Sequence, residues 1–195
     1  VSGDTRTARA LARRTVETFG SLELDAVLTV CASCGSHLQD LGTLFENDPV
    51  WHDAAGALAV KHKDAMAYLV EDLGLDAYLK EQGCACGLHD EGVYRVSYHD
   101  PCHLGRHMGV YNQPRAILNG LPGVELIERD ATRENTICCG AGGGRMWMEE
   151  HHPKVNHNRI EEAAELKPDV VSTAAGRSDA LPSPRAKNDA ALSSR

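Results

Sequence analysis

Residues 25–34 read Asp25-Ala26-Val27-Leu28-Thr29-Val30-Cys31-Ala32-Ser33-Cys34. The first six are short, apolar and β-branched, which predicts a buried strand. The strand runs directly into a Cys-x-x-Cys pair. The chain there turns towards a helix, so both sulfurs can face one point above the sheet edge. A thiolate pair at this spacing grips one metal ion or one edge of a cluster. Taken alone, it fits equally a thioredoxin-like pair or two buried thiols.

The same pattern returns near the other end. Asp169-Val170-Val171-Ser172-Thr173-Ala174 aligns in register with residues 25–30. The preceding segments match too: Val16, Glu17 and Leu22 fall on Ile160, Glu161 and Leu166. A helix–strand unit matching in register implies two copies of one module. In the second copy the Cys-x-x-Cys positions hold Ala175 and Ser178.

Between these ends, strands alternate with helices. Residues 4–19 predict a helix, with Asp4 as N-cap and Ala8, Leu11, Ala12, Thr15, Val16 and Phe19 as its apolar stripe. Gly20 ends it. Further helices are expected over 54–72, 75–81, 111–119, 146–150 and 156–166. Strands are expected over 94–98, 124–127 and 169–173. The alternation predicts an α/β fold with βαβ units and a largely parallel sheet. The expected architecture is two related Rossmann-like modules with short, mostly parallel strands, both incomplete.

Composition narrows the function. The chain has 195 residues, of which 42% are hydrophobic, enough for a packed core. No apolar run is long enough to span a bilayer, so direct membrane insertion is not expected. The net charge of −8 argues against nucleic acid as a partner. The start, Val1-Ser2-Gly3-Asp4, shows no secretory signal and no initiating methionine. A cytoplasmic setting with reduced thiols and a true start further upstream is therefore expected. Seven cysteines in such a chain point to metal or redox work.

Cys102 and the adjacent pair Cys138-Cys139 are the more specific signal. Adjacent cysteines point apart in an extended chain and converge only where the backbone turns sharply. Gly140 and Gly142 to Gly144 supply that freedom. His99 and His103 flank Cys102; they are candidates for ligands, for proton donors or for groups that hydrogen-bond a cluster sulfur. Arg106 would place positive charge near an anionic cluster and raise its potential, or lie on the surface. Cys84 and Cys86 sit in a loop-like stretch and are treated as accessory. Residues 175–195 hold no Val, Ile, aromatic, Met or Cys residue and are expected to be a disordered tail.

His99-Asp100-Pro101-Cys102-His103-Leu104-Gly105-Arg106 and Cys138-Cys139-Gly140-Ala141-Gly142-Gly143-Gly144, with Cys31 and Cys34, resemble the cysteine-rich (CCG) domain family. That family includes heterodisulfide reductase catalytic subunits and glycolate oxidase iron–sulfur subunits. The resemblance implies an iron–sulfur cluster, [4Fe–4S] and non-cubane in heterodisulfide reductases. Its implied ligands are Cys31, Cys34, Cys102, Cys138 and Cys139, with His99, His103 and Gly140 around them. No residue is assigned a catalytic role. The resemblance also implies an electron-transfer subunit of an oxidoreductase. Its partner would be a flavoprotein dehydrogenase or a ferredoxin-like redox subunit, and any membrane association would run through such partners. On this pattern, residues 1–50 end a first module, 51–93 are a helical connection and 94–174 are a second module. That module lacks its closing Cys-x-x-Cys, so the chain is expected to be a fragment whose tail is out of frame. The competing expectations are a zinc-stabilised binding module using Cys31, Cys34, Cys84 and Cys86, and a truncated product without a functional cluster.

Overall fold

In the computed structural model, residues 3–82, 92–149 and 155–174 are described. Helix α1 (Thr5–Gly20) starts where Asp4 caps it. The Asp4 carboxylate accepts the Thr7 N–H at 3.0 Å and the Thr7 hydroxyl at 2.7 Å. An N-cap of this kind is worth about 1 kcal/mol. Ala12 and Val16 are buried and Phe19 packs on the same core, as the apolar stripe predicts. Leu11 is exposed instead: the segments packed on α1 cover a narrower face than the stripe spans.

Strand β1 (Val27–Thr29) pairs in parallel with β2 (His62–Asp64), Val27 opposite His62 and Thr29 opposite Asp64. The crossover between them holds α2 (Ala32–Gln39), a 3-10 turn Leu41–Phe45 and α3 (Pro49–Lys61). Pro49 suits the first turn of α3, where its missing N–H costs nothing. Val27, Leu38, Leu41, Phe45, Ala55 and Leu58 close a core with α1. Burying a side chain such as Leu41 contributes about 1.5–3 kcal/mol.

β2 corrects the single helix expected over 54–72. His62, Lys63 and Asp64 pair with β1, and helix resumes only afterwards as α4 (Ala65–Ala67). Asp64 marks the restart, accepting the Met66 N–H at 2.8 Å and the Ala67 N–H at 3.3 Å. An aspartate inside an alanine-rich helical pattern is a weak local signal, and strand pairing overrides the pattern. A π turn over Tyr68–Asp72 and helix α5 (Leu75–Gln82) follow.

The second sheet has the order β4-β3-β5 and is parallel throughout. Its centre is β3 (Tyr94–His99), flanked by β4 (Val124–Ile127) and β5 (Val170–Thr173). Helices α6 (Asn112–Gly120) and α7 (Val155–Glu165) belong to this half. The start of β5 is pinned to β3: the Arg95 N–H donates to the Asp169 carboxylate at 2.9 Å, and the Asp169 N–H donates back to the Arg95 carbonyl at 2.8 Å. Among the described residues the fold is thus mixed α/β with two small parallel sheets of short strands.

Of the helix expected over 146–150, the described residues 146–149 are not α-helical: Met146 and Trp147 end a 3-10 turn that starts at Gly142, and Met148 has extended backbone. Cys84, Cys86 and the tail 175–195 lie outside the described residues. Among the described residues, no helix is long and apolar enough to cross a membrane.

Candidate functional site

The five described cysteines are free thiols carried on three segments. Cys31 ends the β1 segment with extended backbone and stands at the cap position of α2; Cys34 lies in the first turn of that helix. The Ser33 hydroxyl lies 3.3 Å from Cys31 Sγ. The Ser33 hydroxyl and then the Cys34 thiol push the Cys31 thiol below its ordinary pKa, while the Cys31 sulfur pushes Cys34 up. Both thiols are accessible, and Cys34 is exposed.

Against the first turn of α2 lies His62, which has no special spacing in the sequence. It is 5% exposed, and its Nε2 lies 2.9 Å from the Thr29 hydroxyl. Burial pushes its pKa down. The ring fits because residue 35 is glycine. A Cβ on Gly35 would stand 2.7 Å from the Thr29 hydroxyl oxygen and 3.0 Å from the imidazole.

Cys102 follows β3 and opens a tight π turn over His103–His107. The residues before it are buried and locked. The Arg115 guanidinium donates two bonds of 2.7 Å to the two oxygens of Asp100 and continues to Glu128. Burial works against the Asp100 charge, but the Arg115 fork and the Arg133 N–H outweigh it and hold the carboxyl below its ordinary pKa. His99 accepts at Nδ1 from Arg159 Nε at 2.9 Å, which places the ring proton on Nε2. Burial, and then the Arg159 charge, push His99 down to about 4.

His103 turns towards the first half of the chain. Its Nδ1 lies 2.7 Å from the Ser36 hydroxyl, and its ring stacks on His107 at 4.7 Å. Helix α2 therefore packs on the turn that follows Cys102, which sets the Cys31/Cys34 helix beside the Cys102 segment. Gly105 is required in that turn, because a Cβ would meet the Tyr111 ring at 2.3 Å.

Cys138 is exposed and Cys139 is half-buried. The Gly140 N–H folds back onto Cys138 Sγ at 3.3 Å. Gly140 has φ +78, and a Cβ there would stand 2.8 Å from the Asn156 backbone nitrogen. The sharp turn after the paired cysteines is therefore built from a left-handed glycine pressed against the start of α7. The approach to the pair is held from the Cys102 side by Arg106, whose guanidinium donates to the Glu134 and Thr136 carbonyls.

Soft thiolates with an N–H directed at a sulfur suit iron or zinc, and the donor set fits an iron–sulfur group by its chemistry. Among the described residues, no three His, Cys, Asp or Glu side chains are gathered tightly enough to hold a single metal ion. What the fold supplies is α2 packed on the turn after Cys102, and residues 134–136, just before Cys138, bonded to Arg106 of that same turn. Sequence patterns located every thiol but missed His62, Arg115 and Arg159, which act across distances in the chain that no local motif marks.

The family pattern of the cysteine-rich domain, CCG, matches residues 1–39 and 96–177, more than half of the chain. The chain belongs to this family. It is 48% identical over 79 residues to the probable iron–sulfur-binding oxidoreductase FadF of Bacillus subtilis, covering 40% of this chain and 11% of that protein. It is 45% identical over 80 residues to one of the subunits of the dihydromethanophenazine:CoB–CoM heterodisulfide reductase of Methanosarcina barkeri, covering 40% of this chain and 20% of the relative. It is 33% identical over 142 residues to the probable glycolate oxidase iron–sulfur subunit of Bacillus subtilis, covering 73% of this chain and 29% of the relative. The chain thus spans less than a third of the length of each of these relatives.

Proposed function

We propose that this CCG chain is an iron–sulfur electron-transfer module of a larger oxidoreductase. Cys102, Cys138 and Cys139 would hold iron in the second module, residues 94–174. Cys31 and Cys34 would supply thiolates from the end of the first, residues 1–50, with 51–93 as the connection. The observation that carries this is the packing of α2 on the Cys102 turn together with the Arg106 bonds to the segment before Cys138. Three cysteine-bearing segments are held as neighbours by bonds that do not use the thiols.

A bound iron–sulfur cluster supplies one-electron transfer with little change in geometry. The surrounding residues have separate tasks. Ser33 favours the Cys31 thiolate, the Gly140 N–H donates to Cys138 Sγ and so favours negative charge on that sulfur, and His99 is kept neutral by burial. The names of the relatives support a multi-subunit setting, in which a flavoprotein or ferredoxin-like subunit exchanges electrons with this module. The acceptor class in such assemblies would be a quinone or a disulfide.

Anaerobic purification followed by an absorption spectrum tests the function. Broad visible absorbance supports an iron–sulfur centre. A colourless protein with about one zinc per chain supports instead a structural thiolate site.

A further inference from the structure

Arg106 has a defined task that its charge alone does not describe. Its Nε and Nη2 donate to the Glu134 carbonyl at 3.1 and 2.8 Å, and Nη2 also donates to the Thr136 carbonyl at 2.6 Å. Both acceptors lie on the short segment that leads into Cys138. The turn that carries Arg106 is itself braced. Gly105 N–H donates to the Pro101 carbonyl at 2.9 Å, and the Tyr111 ring closes over Gly105. The far segment is also held at its start, where the Arg133 N–H donates to the Asp100 carboxylate at 2.8 Å. Arg133 has φ +56, a left-handed conformation that a non-glycine residue adopts only when its surroundings impose it. Asp100 and Arg106 thus bracket Cys102 in sequence and grip residues 133–136 at three backbone groups.

We propose that Arg106 is a positioning residue that fixes the approach of Cys138-Cys139 to Cys102 through backbone carbonyls, and that its fork geometry rather than its charge is what the site requires. The iron-holding purpose rests on the function proposed above, but the clamp itself does not. A planar guanidinium can bridge two carbonyls in a fixed fork; an ammonium keeps the charge and loses the fork. Arg106→Lys and Arg106→Gln therefore separate the two roles.

The test measures amide hydrogen exchange in the full chain without metal, together with iron retained after anaerobic reconstitution. The amides to follow are Arg133, Asn135, Thr136 and Gly140, each of which donates a hydrogen bond here. The expected result is that Lys and Gln behave alike: exchange over 133–140 rises by about ten- to a hundredfold, the loss expected for hydrogen bonds to a charged donor, and both variants retain less iron. A Lys variant that matches the parent protein in exchange and iron would overturn the proposal in favour of charge. Exchange that rises equally in β3 and α6 would also overturn it, because the effect would then be general unfolding. If the parent protein takes up no iron while local exchange still rises in both variants, the clamp stands and the iron–sulfur function falls.

Discussion

The Ser36 hydroxyl and His103 Nδ1 lie 2.7 Å apart, joining the helix that carries Cys34 to the turn that follows Cys102. Ser36 is 4% exposed, so the bond is shielded from water. The hydroxyl also donates to the Ser33 carbonyl at 3.3 Å, which leaves its oxygen to accept from His103 when Nδ1 carries the ring proton. A buried pair of this kind contributes about 0.5–1.5 kcal/mol net, and more is lost when one partner is left unpaired. Ser36→Ala, His103→Ala and the double variant form a cycle that measures it by denaturant unfolding. The expected coupling is about 1 kcal/mol; additive single effects would show that the two halves are not linked here.

Arg115 is the electrostatic centre of the second half. It is buried with Asp100, also bonds Glu128, and lies 5.1 Å from the Tyr98 ring centroid. Arg115→Met would leave the Asp100 carboxylate buried with only the Arg133 N–H. The expected loss is about 3–5 kcal/mol, the usual cost of breaking a buried pair. Thermal or denaturant unfolding measures it, and a loss under about 1 kcal/mol would mean that water reaches this carboxylate.

The buried histidine gives a signed pH dependence. His99 is neutral in the fold down to about pH 4, whereas an unfolded histidine takes up its proton near 6.5. Between those values the unfolded state binds more protons, so stability falls as pH falls. The contribution is fully present above about pH 6.5 and is lost at up to about 1.4 kcal/mol per unit towards pH 4. His62 is shifted in the same direction, and Asp100 adds a further loss at lower pH as its carboxylate protonates. His99→Gln should therefore flatten the slope between pH 6.5 and 4 in urea titrations. An unchanged slope would show that His99 is charged in the native protein.

Gly140 is a stringent test of the cysteine loop. Alanine there would have to take φ +78 and place Cβ 2.8 Å from a backbone nitrogen that cannot easily yield. Gly140→Ala should lower stability by about 1–3 kcal/mol and disturb the N–H bond to Cys138. Gly142 has open space around it and provides the control. Equal effects at the two positions would remove the specific role of the turn.

The parts of the fold that follow from local chemistry were legible in the sequence. The capped helix α1, the presence of a strand at β1 and the alternation around β3 and β4 all depend on near neighbours; the expected burial of β1 holds only at Val27, with Leu28 and Val30 exposed. The missed parts depend on partners far along the chain. β2 forms because β1 offers it a ladder, and nothing in His62-Lys63-Asp64 outweighs the helical pattern on either side. The site divides in the same way. Cysteine spacing and the glycine after Cys139 were visible as motifs. That Arg106 grips carbonyls, that Arg159 fixes the His99 tautomer and that His62 lies against the helix of Cys34 could be seen only after folding.

Under the proposed two-module alignment, Ala175 and Ser178 stand where the first module carries Cys31 and Cys34, which offers a gain-of-function test. Ala175→Cys together with Ser178→Cys should increase iron bound per chain after reconstitution and slow its loss to a chelator. No increase would count against the alignment of the two modules.

Iron and sulfide content after anaerobic reconstitution, measured on the parent chain and on Cys138→Ser/Cys139→Ser, decides whether these thiols hold a cluster. Iron with inorganic sulfide and a broad visible spectrum is expected in the parent, with loss of most of that iron in the double variant. A parent chain that binds no iron, or a double variant that keeps all of it, would contradict the claim that these thiols hold an iron–sulfur centre.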